Sequence, residues 1–240
     1  MKKYIPDFIT SLNLVCGLAG LVFAFKGRSD IAFPLMIAAS VFDFCDGLAA
    51  RALDQYSDLG KELDSLCDLV SFGVLPSVMM YSTMKACMFG ESWICWIPLV
   101  MAVFAAIRLA KFNVDPRQLS GFLGLPTPAA ALLSGAVCHF IAVSPYSFLS
   151  DWAAGPVFLP LLALVLSALM VCELPMFSLK IHRDDPALLR NKRLAMGVLV
   201  AASAVVCVVF KLSLSLAFVI SLTAYIIKNI LYAIFKLNED

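Results

Sequence analysis

Residues 43–68 read DFCDGLAARALDQYSDLGKELDSLCD, and the stretch is flanked by two long apolar runs. Nine ionisable side chains fall within it: Asp43, Asp46, Arg51, Asp54, Asp58, Lys61, Glu62, Asp64 and Asp68. Their phasing carries the information. At 100° per residue, Asp43, Asp46, Gly47 and Ala50 occupy an arc of about 100° on one helix, and Gly60, Asp64 and Asp68 an arc of about 80° on the next. Two facing helices joined by a short connection then bring four carboxylates together.

The surroundings are those of a membrane protein. The chain has 240 residues, is 62% hydrophobic and only 15% charged, and has a mean hydropathy of +0.92. A soluble globule cannot bury that much apolar surface, and a disordered chain needs the opposite composition. Eight apolar segments can be marked, near 8–25, 31–53, 62–84, 93–110, 122–144, 153–175, 194–210 and 212–233. Each is about the length of a membrane-spanning helix. They are continuous rather than alternating, which excludes a barrel. The expectation is an all-α, polytopic transmembrane helical bundle of about eight helices. Residues 1–240 then form one integral-membrane domain, and the first span is retained, because no convincing cleavage site follows Lys2 and Lys3.

Orientation follows from the basic residues. With eight spans, fourteen Lys and Arg fall on the side of the N-terminus and four on the other. The positive-inside rule then puts both termini, and the acidic stretch, on the cytoplasmic side of the inner membrane. The near-neutral balance, 18 basic against 17 acidic residues, excludes nucleic acid as a partner. The eight cysteines sit singly and read as packing residues, Cys87 and Cys95 being the one pair that flanks a polar loop.

Ionisable groups at membrane depth are costly and mark function. Asp54, Asp58 and Glu62 read best as solvating a helix end. The four phased aspartates do not, because four carboxylates cannot all stay ionised at close range without a cation. Oxygen donors without Cys or His select hard ions: Mg2+, Mn2+ or Ca2+. Gly47, Ala50 and Gly60 leave space beside the acids for a bulky ligand. Arg51 suits a phosphate, or pairs with an aspartate. Metal, phosphate and a slot of small residues point to phosphoryl transfer. A carboxylate-based cation transporter is the other class, but it prefers acids at the bilayer centre on broken helices.

The same residues match D-x2-D-G-x2-A-R-x8-G-x3-D-x3-D at all eight fixed positions, so the stretch resembles the CDP-alcohol phosphatidyltransferase family. The resemblance implies a helical membrane enzyme, commonly a homodimer, that moves a phosphatidyl group from a CDP-linked lipid to an alcohol and releases CMP. Other stretches resemble the bacterial phosphatidylserine synthase branch: IPDFITSLNL at 5–14, DSLCDLVSFG at 64–73, RLAKFN at 108–113 and GLPTPAA at 124–130. That branch implies CDP-diacylglycerol and L-serine as substrates. Ser65 and Leu69 stand where glycerol-phosphate-using relatives have Pro and Lys. Inositol phosphate or glycerol phosphate remains the alternative acceptor. Asp7, Lys111 and Cys67 replace the branch's usual Asn, Arg and Ala.

Carried over, the resemblance makes Asp43, Asp46, Asp64 and Asp68 ligands of Mg2+ or Mn2+, with Asp68 as general base. It sets CDP along Gly47, Ala50, Arg51 and Gly60, with Thr10 and Asn13 near the cytosine or ribose. Arg108 and Lys111 share a helix side and suit the serine carboxylate or a lipid phosphate, or simply a basic helix end. Ser71 shares the face of Asp64 and Asp68, where it touches a ligand or packs. The motif at 124–128 is expected to start a helix, and Pro76 and Pro175 to kink theirs.

Overall fold

The computed structural model describes residues 5–53, 57–88, 92–115, 122–144, 148–153, 155–176 and 213–237. The first helix, α1 (Ile5–Phe25), buries Pro6, Thr10, Asn13, Gly17, Gly20 and Ala24, a stripe with steps of three and four residues. Phe8, Val15, Leu18, Val22 and Phe25 face outward. Lipid offers a helix no hydrophobic reason to leave it, so helices associate in a membrane through small residues that let backbones approach. α2 (Ser29–Leu53) is the most extensive partner of α1, and Gly17 and Gly20 of the stripe let Ser71 and Leu75 of the following helix approach closely. The turn between α1 and α2 passes through Gly27 at φ +71°, a left-handed conformation natural to glycine.

The next helix runs continuously over Asp58–Cys87. It begins as α3 (Asp58–Asp68), capped where the Gly60 N–H donates to Ser57 Oγ at 2.9 Å. It widens to a π-helical turn over Leu69–Val74 and resumes as α4 (Leu75–Cys87). Pro76 has no N–H to give to the carbonyl four residues back and its ring crowds that carbonyl. The widened turn lies immediately before it, so the disturbance expected at Pro76 takes this form. α4 is the centre of the bundle, with Leu75, Pro76, Ser77, Val78, Met79 and Met80 all buried.

A 3-10 segment (Trp93–Leu99) leads into α5 (Val100–Val114). Strand β1 (Phe122–Leu123) precedes α6 (Thr127–Val143), which packs on α2 and α4. Short α7 (Phe148–Ala153) and α8 (Phe158–Val171) follow, and β2 (Pro175–Met176) pairs antiparallel with β1. The last described helix, α9 (Leu214–Leu237), packs on α6.

Among the described residues, five helices are long and apolar enough to cross a membrane: Ile5–Phe25, Ser29–Leu53, Asp58–Cys87, Trp93–Val114 and Leu214–Leu231. The expected fifth and sixth spans are shorter apolar helices, Thr127–Val143 and Phe158–Val171. The reason is local. The Gly124 N–H donates to Leu174 O beside the strand pair, which holds the chain before α6 and after α8 extended, and the Leu125 N–H donates to Leu169 O in the last turn of α8. Pro175 therefore lies in the strand pair beyond α8 and kinks no helix. The helix start at 124–128 is as expected, with α6 opening at Thr127 and Pro128 in its first turn. The expected span at 194–210 lies outside the described residues. The described cysteines, Cys87 and Cys95 included, are all free thiols.

Candidate functional site

One end of the bundle gathers the C-terminal half of α2, all of α3, the start of α1 and the end of α5. Two cross-links fix α3 to α5: Lys61 Nζ donates to Asn113 O at 3.1 Å, and Asn113 Nδ2 donates to Ser65 Oγ at 2.9 Å. The phasing read from the sequence holds on both helices. Asp43 from α2 and Asp64 and Asp68 from α3 bring carboxylate oxygens within 4.8 Å of one another. Among the described residues no other group of three His, Cys, Asp or Glu meets that spacing. Asp43 and Asp64 are half-buried and Asp68 is buried. Three oxygen donors this close, without sulfur or imidazole, fit a hard divalent cation. Such an ion would also offset the repulsion between neighbouring carboxylates in a poorly hydrated site.

Asp46 shares the helix face but stands outside that trio. Thr10 Oγ1 donates to Asp46 Oδ2 at 2.6 Å, and both side chains are buried. Asn13, one α1 turn later, donates from Nδ2 to Asp68 Oδ1 at 3.2 Å. Its own Oδ1 is buried with no hydrogen-bond partner among the described residues. Thr10 and Asn13 thus hold one acid from α2 and one from α3, and α1 serves as the backing plate of the site.

The glycines differ from one another. A Cβ on Gly47 would meet only Arg51 Nη2, at 3.9 Å, so the space expected beside the acids is present there. A Cβ on Gly60 would lie 2.9 Å from Ser57 Oγ and 3.0 Å from Asp7 Oδ1. Gly60 is thus required by the cap of α3 and the approach of α1, and the open slot expected at this position is filled by those two oxygens. Arg51 donates from Nε to its own helix at Gly47 O, 2.9 Å away, and is exposed. Ala50 is half-buried on the same face.

Ser71 is fully buried, and its hydroxyl donates to Asn13 O at 3.2 Å where Gly17 passes closest. That is a contact between packed helices, the second of the two readings given for Ser71. Arg108 and Lys111 lie together on a cleft between the ends of α5 and α8. Arg108 is only 5% exposed, and Asp68 lies within its electrostatic reach. Its Nη1 donates to Thr127 Oγ1 at 3.2 Å, whereas Nε and Nη2 are buried with no hydrogen-bond partner among the described residues.

Three contributors escaped the sequence reading. Asn113 and Thr127 lie inside the quoted stretches RLAKFN and GLPTPAA, but nothing in their spacing says that they join α5 to α3 and α6. Tyr225, buried on α9 and within electrostatic reach of Arg108, lies in a part of the chain matched only by hydropathy.

Comparison with known proteins agrees with this geometry. The family model described as CDP-alcohol phosphatidyltransferase matches residues 3–173. The CDP-diacylglycerol–serine O-phosphatidyltransferase of Bacillus subtilis (strain 168) is 37% identical over 130 residues, 54% of this chain and 72% of that protein. The protein of that name from Methanocaldococcus jannaschii is 35% identical over 137 residues, covering 57% of this chain and 61% of the relative. That from Mycobacterium leprae is 32% identical over 182 residues, with 72% and 58% covered. The matched part therefore spans less than two thirds of the last two relatives. The family model takes in α1 to α8 and every residue of the aspartate site, and with that extent of match the chain belongs to the CDP-alcohol phosphatidyltransferase family.

Proposed function

We propose that this protein transfers a phosphatidyl group from CDP-diacylglycerol to the hydroxyl of L-serine, giving phosphatidylserine and CMP. The observation that carries the reading is the meeting of Asp43, Asp64 and Asp68 at one helix end. The cleft at the ends of α5 and α8, with the buried cation Arg108, supports it. The names of the relatives support serine as the acceptor.

Asp43, Asp64 and Asp68 would hold the divalent ion, Mg2+ or Mn2+, with Asp46 completing the set once Thr10 yields. When bound, such an ion supplies Lewis-acid stabilisation of charge on the diphosphate and the departing CMP. The chain's own residues do the rest. Gly47 and Ala50 leave room for the nucleotide along α2, Arg51 lies beside that room, and Gly60, Thr10 and Asn13 bound it from α3 and α1. Arg108 and Lys111 orient the serine carboxylate. Asp68 accepts the proton of the serine hydroxyl as that oxygen bonds to the lipid-side phosphorus, and the bond from phosphorus to the CMP oxygen breaks. The protein works as a multi-pass homodimer of about eight spans per chain, with the site and both termini on the cytoplasmic face of the inner membrane.

The test uses the full chain in vesicles with CDP-diacylglycerol and labelled candidate alcohols. CMP release with L-serine, lost on chelation and restored by Mg2+ or Mn2+, is the expected result. CMP release with glycerol phosphate or inositol phosphate but not serine would transfer the chemistry to another acceptor. Absence of CMP with every acceptor, together with cation flux across the vesicle, would replace the enzyme by a transporter.

A further inference from the structure

We propose that Asp115 and Glu173 read the ammonium group of the acceptor, so that the cleft at the ends of α5 and α8 selects an amino acid rather than any small alcohol. The inference rests on the proposed reaction and deepens it. The cleft is lined by two cations, Arg108 and Lys111, two carboxylates, Asp115 and Glu173, and apolar side chains that include Leu123 and Met170. The cleft opens to solvent.

The cationic half is built to receive something. Arg108 is 5% exposed, and its Nε and Nη2 have no hydrogen-bond partner among the described residues. A guanidinium with unsatisfied buried donors is costly to maintain. A planar oxyanion that accepts two parallel hydrogen bonds removes that cost, and a carboxylate has this geometry. The acidic half decides which oxyanion. Asp115 caps the C-terminal end of α5, where its N–H donates to Lys111 O at 2.9 Å. Glu173 follows the end of α8 across the cleft. A phosphorylated alcohol held by Arg108 would bring about two negative charges and no cation for these carboxylates to bind. An amino acid places a single carboxylate on the Arg108 side and its ammonium on the Asp115 and Glu173 side. Its hydroxyl is then left free to face Asp68, which lies within electrostatic reach of Arg108.

The experiment compares L-serine with 3-hydroxypropionate, which keeps the hydroxyl and carboxylate but lacks the ammonium. CMP release is followed with the full chain in CDP-diacylglycerol vesicles. For D115N/E173Q the KM for L-serine is expected to rise about 10- to 100-fold, the range for a lost hydrogen bond to a charged group. The KM values for 3-hydroxypropionate and CDP-diacylglycerol should stay within about twofold of the native protein. The charge-preserving pair D115E/E173D should keep the preference for serine, which separates recognition from folding. A D115N/E173Q protein that prefers serine as strongly as the native one overturns the proposal, and so does an equal loss with both acceptors. A native protein that releases CMP only with a phosphorylated alcohol instead overturns the proposed reaction, and that outcome is visible before any substitution is made.

Discussion

Asn13 on α1 donates from Nδ2 to Oδ1 of Asp68, 3.2 Å away and 55 residues later in the chain. The bond ties α1, which supplies none of the four phased aspartates, to the acid on which the proposed proton transfer depends. It fixes which Asp68 oxygen faces α1 and so which is left for the reaction.

Asn13→Ala removes the donor and leaves Asp68 free to rotate. A hydrogen bond to a charged group is worth about 1.5–3 kcal/mol, so turnover is expected to fall roughly 10- to 100-fold. Steady-state CMP release in vesicles measures it. An unchanged kcat would leave the bond a packing detail.

Asp68→Asn keeps the shape of the side chain and removes its basicity. Positioned acid–base help contributes about 10²–10⁴-fold, and at least that much turnover should disappear. Retention of CDP by the variant, read by equilibrium binding, would distinguish lost chemistry from a lost site. Near-normal turnover would move the base elsewhere.

Gly47→Leu tests the nucleotide slot. Glycine inside a helix costs about 0.5–1 kcal/mol relative to alanine, so the substitution does not weaken α2. A side chain there projects into the space that now has only Arg51 Nη2, at 3.9 Å. Overfilling a fitted space costs about 1–3 kcal/mol, hence a loss of CDP affinity of roughly 5- to 150-fold with an undiminished melting temperature. Unaltered CDP affinity would remove the nucleotide from this face.

Gly124→Ala tests the junction before α6. Gly124 has φ +76°, and a Cβ would lie 2.7 Å from both Met170 O and Cys172 O. Backbone in that region costs a residue with a side chain about 1–3 kcal/mol, and the backbone oxygens cannot swing aside. The melting temperature in detergent should drop, and CMP release at low temperature should change far less, since Gly124 touches none of the aspartates.

Much of the site was legible because it is local. Asp43 on α2, and Asp64 and Asp68 on α3, follow from helical phase along two neighbouring helices, and phase is a property of sequence spacing. Asp46 has the same phase but a different fate, because Thr10 captures its carboxylate and α1 arrives from elsewhere in the chain. Gly60 reads from the sequence as open space for a ligand, whereas in the structure it is crowded by Ser57 and Asp7. Ser71 was placed on the right face, but that face had already been taken up by α1.

Composition and periodicity alone determined that the chain is a bundle of membrane helices and that its acids converge at one end, because burial in lipid and the 100° turn act residue by residue. Only the tertiary structure decided that α1 steadies Asp46 and Asp68, that the helices around 124–175 are cut short by a strand pair, and that Arg108 ends up buried with donors to spare. Those outcomes depend on contacts between segments far apart in the chain, and a side chain's partner across a helix interface is set by packing geometry that spacing along one helix does not encode.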